Sequence, residues 1–188
     1  MKTKTSVNFP QVLSQFINDK SFKSTAIKLN KIINKKIIKK KSIFFAGNGG
    51  SAAISNHALC DFLKNYKVKS SVSKFFSLSS NNEIITAISN DYSYDQIFSF
   101  QLEKLADSGD LLILVSSSGN SANILRAAKT ALRKNMDVFS LIGFDGGKLK
   151  KMSKDHYHVN SNNYGICEDL HMSLLHYIID LNNSTHVG

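Results

Sequence analysis

The chain has 188 residues, 42% of them hydrophobic, with two cysteines; that is enough for one domain with a substantial core and too little sulfur for a disulfide framework or a zinc ribbon. The formal charge of +10 arises from 24 basic against 14 acidic side chains, and much of the excess lies in KLNKIINKKIIKKK, where isoleucines interleave with lysines at helical spacing; a solvated lysine face explains it, and nucleic acid is not the expected partner. No apolar run reaches membrane-spanning length and the N-terminus lacks a signal peptide's apolar segment, so a cytoplasmic protein without a membrane partner is expected.

Pro10 fits the first turn of a short helix carrying Val12, Leu13, Phe16 and Ile17. Phe22, Ala26, Leu29, Ile33 and Ile37 then recur at three- and four-residue spacing, which predicts a longer amphipathic helix. From Ser42 the pattern changes. Short apolar runs, SIFFA, KFFSLS, LLILVS, DVFSLIG and HYHV, alternate with helix-like segments at Ser51 to Asn65, Tyr94 to Leu105 and Ser121 to Lys134. A final helix is predicted from about Cys167 to Leu181, burying Leu170, Leu174, Leu175 and Ile178. The alternation predicts an α/β fold with a parallel sheet covered on both faces. Residues 1–41 form an N-terminal helical segment and residues 42–188 the α/β core of a single domain.

Two loops carry chemistry. GNGGS (Gly47 to Ser51) follows SIFFA and opens a helix, and SSSGNS (Ser116 to Ser121) follows LLILV and opens another. Ligands of open α/β sheets bind beyond the carboxyl ends of the strands, so these loops are expected to be neighbours. Helix N-termini favour anions, serine hydroxyls donate to phosphate oxygens, and Gly119 permits a compact turn. With no lysine in SSSGNS and no G-x-G-x-x-G, a single phosphate is favoured over a nucleoside triphosphate or a dinucleotide. Ordinary turn and capping chemistry is the other reading of such a serine cluster.

Past the first loop, His57 and Asp61 share one helix face at i, i+4, and the last helix supplies Glu168, Asp169, His171 and His176. Imidazoles and carboxylates suit both zinc and proton transfer. Glu168 and His176 stand about 12 Å apart along a straight helix, so a metal site using both needs a bend or a second subunit.

GNGGSAAISNHALCD, SNDYSYDQIF, SSSGNSANILRAA and GFDGGKLKKMS together resemble the phosphoheptose isomerases, a family of sugar isomerase (SIS) domains, in order and over nearly the whole chain. The resemblance implies a three-layer sandwich, a five-stranded parallel sheet flanked by helices with N-terminal helices before it, assembled as a homotetramer with sites at subunit interfaces. It implies an aldose–ketose isomerase of a sugar phosphate, with sedoheptulose 7-phosphate going to D-glycero-D-manno-heptose 7-phosphate through an enediol for surface-polysaccharide heptose synthesis. No redox cofactor is implied, and zinc is. By the same resemblance Asn48, Gly49, Gly50, Ser51, Asn90 and Asp91 line the substrate site, and Ser116, Ser117, Ser118 and Ser121 cradle the phosphate, with Ser117 where threonine is usual. His57, Asp61, Glu168 and His176 form the metal set; Asp61, Glu168 and His176 are the catalytic residues, Glu168 also touching substrate. Asp61 stands where the family has glutamate and Glu168 where it has glutamine. These departures compensate one another, or mark another sugar phosphate, or mark a non-catalytic phosphosugar-binding regulator of the kind that associates with the replication initiator.

Overall fold

The computed structural model describes residues 8–67 and 74–184. The signal-peptide reading falls mainly on residues 1–7, and the outer limits of the 1–188 domain also lie outside the described residues. Asn8 caps α1 (Phe9–Asn18) by accepting from the Gln11 N–H, and Pro10 occupies its first turn. Asp19 closes that helix and caps α2 (Lys20–Ile38), accepting from the Ser21 N–H at 2.6 Å. There follow β1 (Ser42–Gly47), α3 (Gly50–Lys64), β2 (Lys74–Ser77), α4 (Asn82–Asp91) and a 3-10 turn (Tyr94–Gln96) that runs into α5 (Ile97–Leu105). The remainder is β3 (Leu111–Ser116), α6 (Ala122–Arg133), β4 (Asp137–Ile142), α7 (Gly147–Met152), β5 (Asp155–His158) and α8 (Tyr164–Ser184).

All five predicted strands form, and they pair only in parallel, in the order β2-β1-β3-β4-β5. Side chains of a strand alternate between faces, and the core divides accordingly. Ile43, Phe45, Leu111, Ile113, Val115, Phe139 and Leu141 pack with Phe22, Leu29, Phe62, Leu170 and Ile178 of α2, α3 and α8. Phe44, Ala46, Leu112, Leu114, Val138 and Ile142 pack with Ile88, Phe98, Leu102, Ile124, Ala127 and Leu149 of α4 to α7. Helices on both faces make the three layers.

Two helices, α4 and α7, were not expected. Each is short and places a single residue, Ile88 or Leu149, in the buried class, so neither writes a helical stripe into the sequence. The segment from Tyr94 to Leu105 breaks into a 3-10 turn and α5, and α8 starts three residues before the predicted Cys167. Among the described residues no helix is long and apolar enough to cross a membrane. Cys60 is exposed, Cys167 is buried, and both are free thiols.

The sheet order places the two loops. From β1 the chain runs to β2 on one side and returns to β3 on the other, so β1 and β3 are neighbours whose connections diverge. That is the topological switch point at which a crevice opens beyond the carboxyl ends of the strands.

Candidate functional site

The first loop is anchored from β2. The Ser79 hydroxyl accepts from the Gly47 N–H at 3.1 Å and donates to the Gly47 carbonyl at 2.8 Å, tying down the last residue of β1. Gly49 then turns the chain through φ 54°, a left-handed conformation natural to glycine, and α3 begins. At Gly50 an added Cβ would lie 2.5 Å from Glu168 Oε2. The bare backbone there makes room for a carboxylate carried by α8, and that carboxylate faces the positive end of α3.

The second loop turns on Gly119, whose φ is 61° and whose N–H donates to the Ser116 hydroxyl at 3.2 Å. Ser118 Oγ accepts from the Asn120 N–H, and the loop is backed by the start of α7, where Leu149 N–H donates to the Gly119 carbonyl at 3.0 Å. Ser121 occupies the N-cap of α6 without bonding its hydroxyl to the helix. Ser117 is 4% exposed, and its hydroxyl has no hydrogen-bond partner among the described residues. A buried hydroxyl normally finds a partner, so an orphan in the loop leading to the α6 N-terminus fits a site built for an anion.

The loops meet. Asn48, Ser51, Val115, Ser116, Ser117, Ser118, Ser121, Tyr164 and Glu168 line one open cleft of about 140 Å³. The loops are laced together by a reciprocal amide pair: Asn48 Nδ2 donates to Asn123 Oδ1 at 2.8 Å, and Asn123 Nδ2 donates to Asn48 Oδ1 at 2.9 Å. The Tyr94 hydroxyl adds a third bond to Asn48 Oδ1 at 3.1 Å. Asn123 and Tyr94 were not singled out in the sequence; the signal for Asn123 was an amide in the first turn of a helix opened by a serine cluster. Asn90 and Asp91 are exposed at the end of α4, bonded to each other at 2.9 Å, and do not line this cleft.

A second cluster forms between α3 and α8. His57 Nε2 lies 3.3 Å from Asp61 Oδ2 and 3.2 Å from His176 Nε2, and His176 Nε2 lies 3.5 Å from the same carboxylate oxygen. Zinc bonds of about 2.0–2.2 Å place the vertices of a coordination tetrahedron roughly 3.3–3.6 Å apart. The three donors therefore have the chemistry and very nearly the spacing of three zinc ligands. Glu168, expected as a member of the metal set, is not part of this group within one chain. It stands eight residues before His176 on a continuous α8, its carboxylate against Gly50 in the cleft.

His171 lies between these two on α8 and serves the fold. It is fully buried, donates from Nε2 to the Ile142 carbonyl at 3.2 Å, and burial pushes its pKa down to about 4.

Comparison with known proteins agrees with this fold. The profile of the SIS domain family matches residues 10–143. A phosphoheptose isomerase of Shewanella denitrificans is 37% identical over 143 residues, covering 74% of this chain and 73% of the relative. Phosphoheptose isomerase GmhA from Neisseria gonorrhoeae superposes with a TM-score of 0.81 at 29% identity, over 94% of this chain and 91% of that one. A phosphoheptose isomerase from Francisella tularensis gives 0.80 at 27% identity, over 86% of each.

Proposed function

The chain belongs to the SIS domain family and, within it, to the phosphoheptose isomerases, and from that premise we propose that it converts sedoheptulose 7-phosphate to D-glycero-D-manno-heptose 7-phosphate. The observation that carries this reading is the meeting of a hydroxyl-lined anion cradle and one carboxylate, Glu168, in a single cleft at the switch point. Ser116, Ser117, Ser118 and Ser121 take the phosphate, aided by the N-terminus of α6. Asn48, Gly49, Gly50 and Ser51 border the sugar, and Asn90 and Asp91 complete its site in the assembled protein.

The chemistry is a proton transfer between adjacent carbons. Glu168 removes a proton from C1 of the ketose, the 1,2-enediol forms, and a proton returns to C2. His176, oriented by Asp61, moves the proton between the two oxygens. His57, Asp61 and His176 would hold zinc, which would supply Lewis-acid polarisation of the carbonyl and neighbouring hydroxyl. No electron carrier is required, since oxidation at one carbon balances reduction at the next.

The two-turn separation of Glu168 from His176 along α8 supports a site shared between copies in a homotetramer. We assign the whole chain to one SIS domain of a cytoplasmic enzyme supplying heptose for surface polysaccharide, with two free thiols suited to a reducing compartment. The test is incubation of the purified protein with sedoheptulose 7-phosphate in deuterated water, followed by NMR. An aldose product carrying deuterium at C2 is expected. Tight binding with no turnover, with or without zinc, would replace the enzyme by a phosphosugar-binding regulator.

A further inference from the structure

The polar side chains of the cleft account for a phosphate and for hydroxyls, yet a sugar also presents carbon-bound hydrogens. Of the lining residues only Val115 and Tyr164 offer apolar surface, and Val115 is fully buried in the sheet. Tyr164 is different. It is the first residue of α8, is 59% exposed, and borders the cleft. Large aromatic surface left in water at the mouth of a polar cleft is surface available to a ligand.

The ring is also held. Phe144 meets it edge-on, with centroids 4.7 Å apart and planes at 74°. Phe144 itself has φ 49°, a left-handed conformation that costs a non-glycine residue free energy and persists where its surroundings over-determine it. Here they do. The Phe144 N–H donates to the Ser161 carbonyl at 3.1 Å, and His158 Nε2 donates to the Phe144 carbonyl at 2.9 Å. Lys150 Nζ donates to His158 Nδ1 at 3.1 Å, which leaves the proton on Nε2 for that bond. Asn163 caps α8 by accepting from the Ile166 N–H at 3.1 Å, setting where Tyr164 emerges.

We propose that Tyr164 is a substrate-contacting residue whose ring stacks on the carbon face of the bound sugar, and that Phe144 is the positioning residue that sets the ring. The proposal rests on the reading of the cleft as a sugar phosphate site and adds to it the element that distinguishes a sugar phosphate from bare phosphate. A rigid amphipathic ring supplies contact area at low entropic cost.

The test compares two ligands, sedoheptulose 7-phosphate and inorganic phosphate, by calorimetry, and isomerase kinetics, in the parent and in Tyr164→Ala, Tyr164→Phe and Phe144→Ala. Tyr164→Ala should weaken the sugar phosphate and raise KM by roughly three- to tenfold, leave kcat within about twofold, and leave inorganic phosphate unchanged. Tyr164→Phe should behave as the parent. Phe144→Ala should show the same split, and the double variant should be no worse than Tyr164→Ala alone. Should Phe144→Ala fail to fold, Tyr164→Ala decides by itself, because its side chain is exposed. Unchanged sugar phosphate affinity in Tyr164→Ala, equal losses for both ligands, or a Tyr164→Phe variant as impaired as the alanine would overturn the stacking role. A parent that binds neither ligand would overturn the cleft assignment beneath it, which is a different result.

Discussion

Replacing Gly50 by alanine separates the job of the cleft from the stability of the fold. The position has no positive φ, so alanine is conformationally acceptable, and at the head of α3 its higher helix propensity adds up to about 1 kcal/mol. Its three nearest foreign atoms all belong to one group, the Glu168 carboxylate, with Oε2 at 2.5 Å and Cδ at 2.6 Å from the new Cβ. Ordinary contact begins at 3.4 Å, so the carboxylate must retreat by about 1 Å. It sits at the end of a flexible side chain and can do so without disturbing the core. A displacement of that size at a reacting group costs on the order of a hundredfold in rate. Thermal unfolding should thus be unchanged or shifted upward by a few degrees, while kcat falls roughly a hundredfold. Gly49→Ala is the control: a Cβ there meets nothing within 4 Å, but φ is 54°, so it should destabilise by about 1–2 kcal/mol without displacing Glu168. If Gly50→Ala kept full kcat with its fold intact, Glu168 would not be the base.

Ser118→Ala and Ser121→Ala should each lower sugar phosphate affinity about tenfold, since a hydrogen bond to a charged group is worth roughly 1.5–3 kcal/mol; calorimetry showing no loss in either would remove the cradle. Elemental analysis of the purified parent should find about one zinc per chain, lost in His57→Ala and His176→Ala but kept in Ser118→Ala; zinc retained by both histidine variants would place the metal elsewhere. His171, neutral in the fold because burial lowers its pKa to about 4, contributes stability that is complete above the unfolded value of 6.5 and lost as pH falls from there to about 4. The loss is on the order of 3 kcal/mol, and urea unfolding at pH 7.5 and pH 4 should show it in the parent and not in His171→Gln. An equal loss in the variant would assign the acid sensitivity to other groups.

Features that repeat at short range could be read directly from the residues. The stripe of Phe22, Ala26, Leu29, Ile33 and Ile37 made α2 legible because each residue returns to the same face after a turn. Five short apolar runs bounded by polar turns made the strands legible, and glycines beside strand ends marked the two loops that line the cleft. Elements that bury little, α4 with Ile88 and α7 with Leu149, left no such stripe and went unseen.

Which distant side chains meet depends on how the helices and strands pack. His176 reaches His57 across 119 residues of sequence, and Asp61 beside it, because α8 packs along α3, and no spacing rule reports that. The same packing sends Glu168 to Gly50 instead of to the His57, Asp61 and His176 cluster, since two helical turns along one rigid axis point residues at different neighbours. Asn123 and Tyr94 meet the cleft by bonding Asn48 from other elements, and Phe144 packs edge-on against Tyr164 at its border. Periodicity is a property of one segment read along itself, whereas a site is an intersection of several segments, and the sheet order that brings β1 beside β3 is fixed by packing of the whole chain.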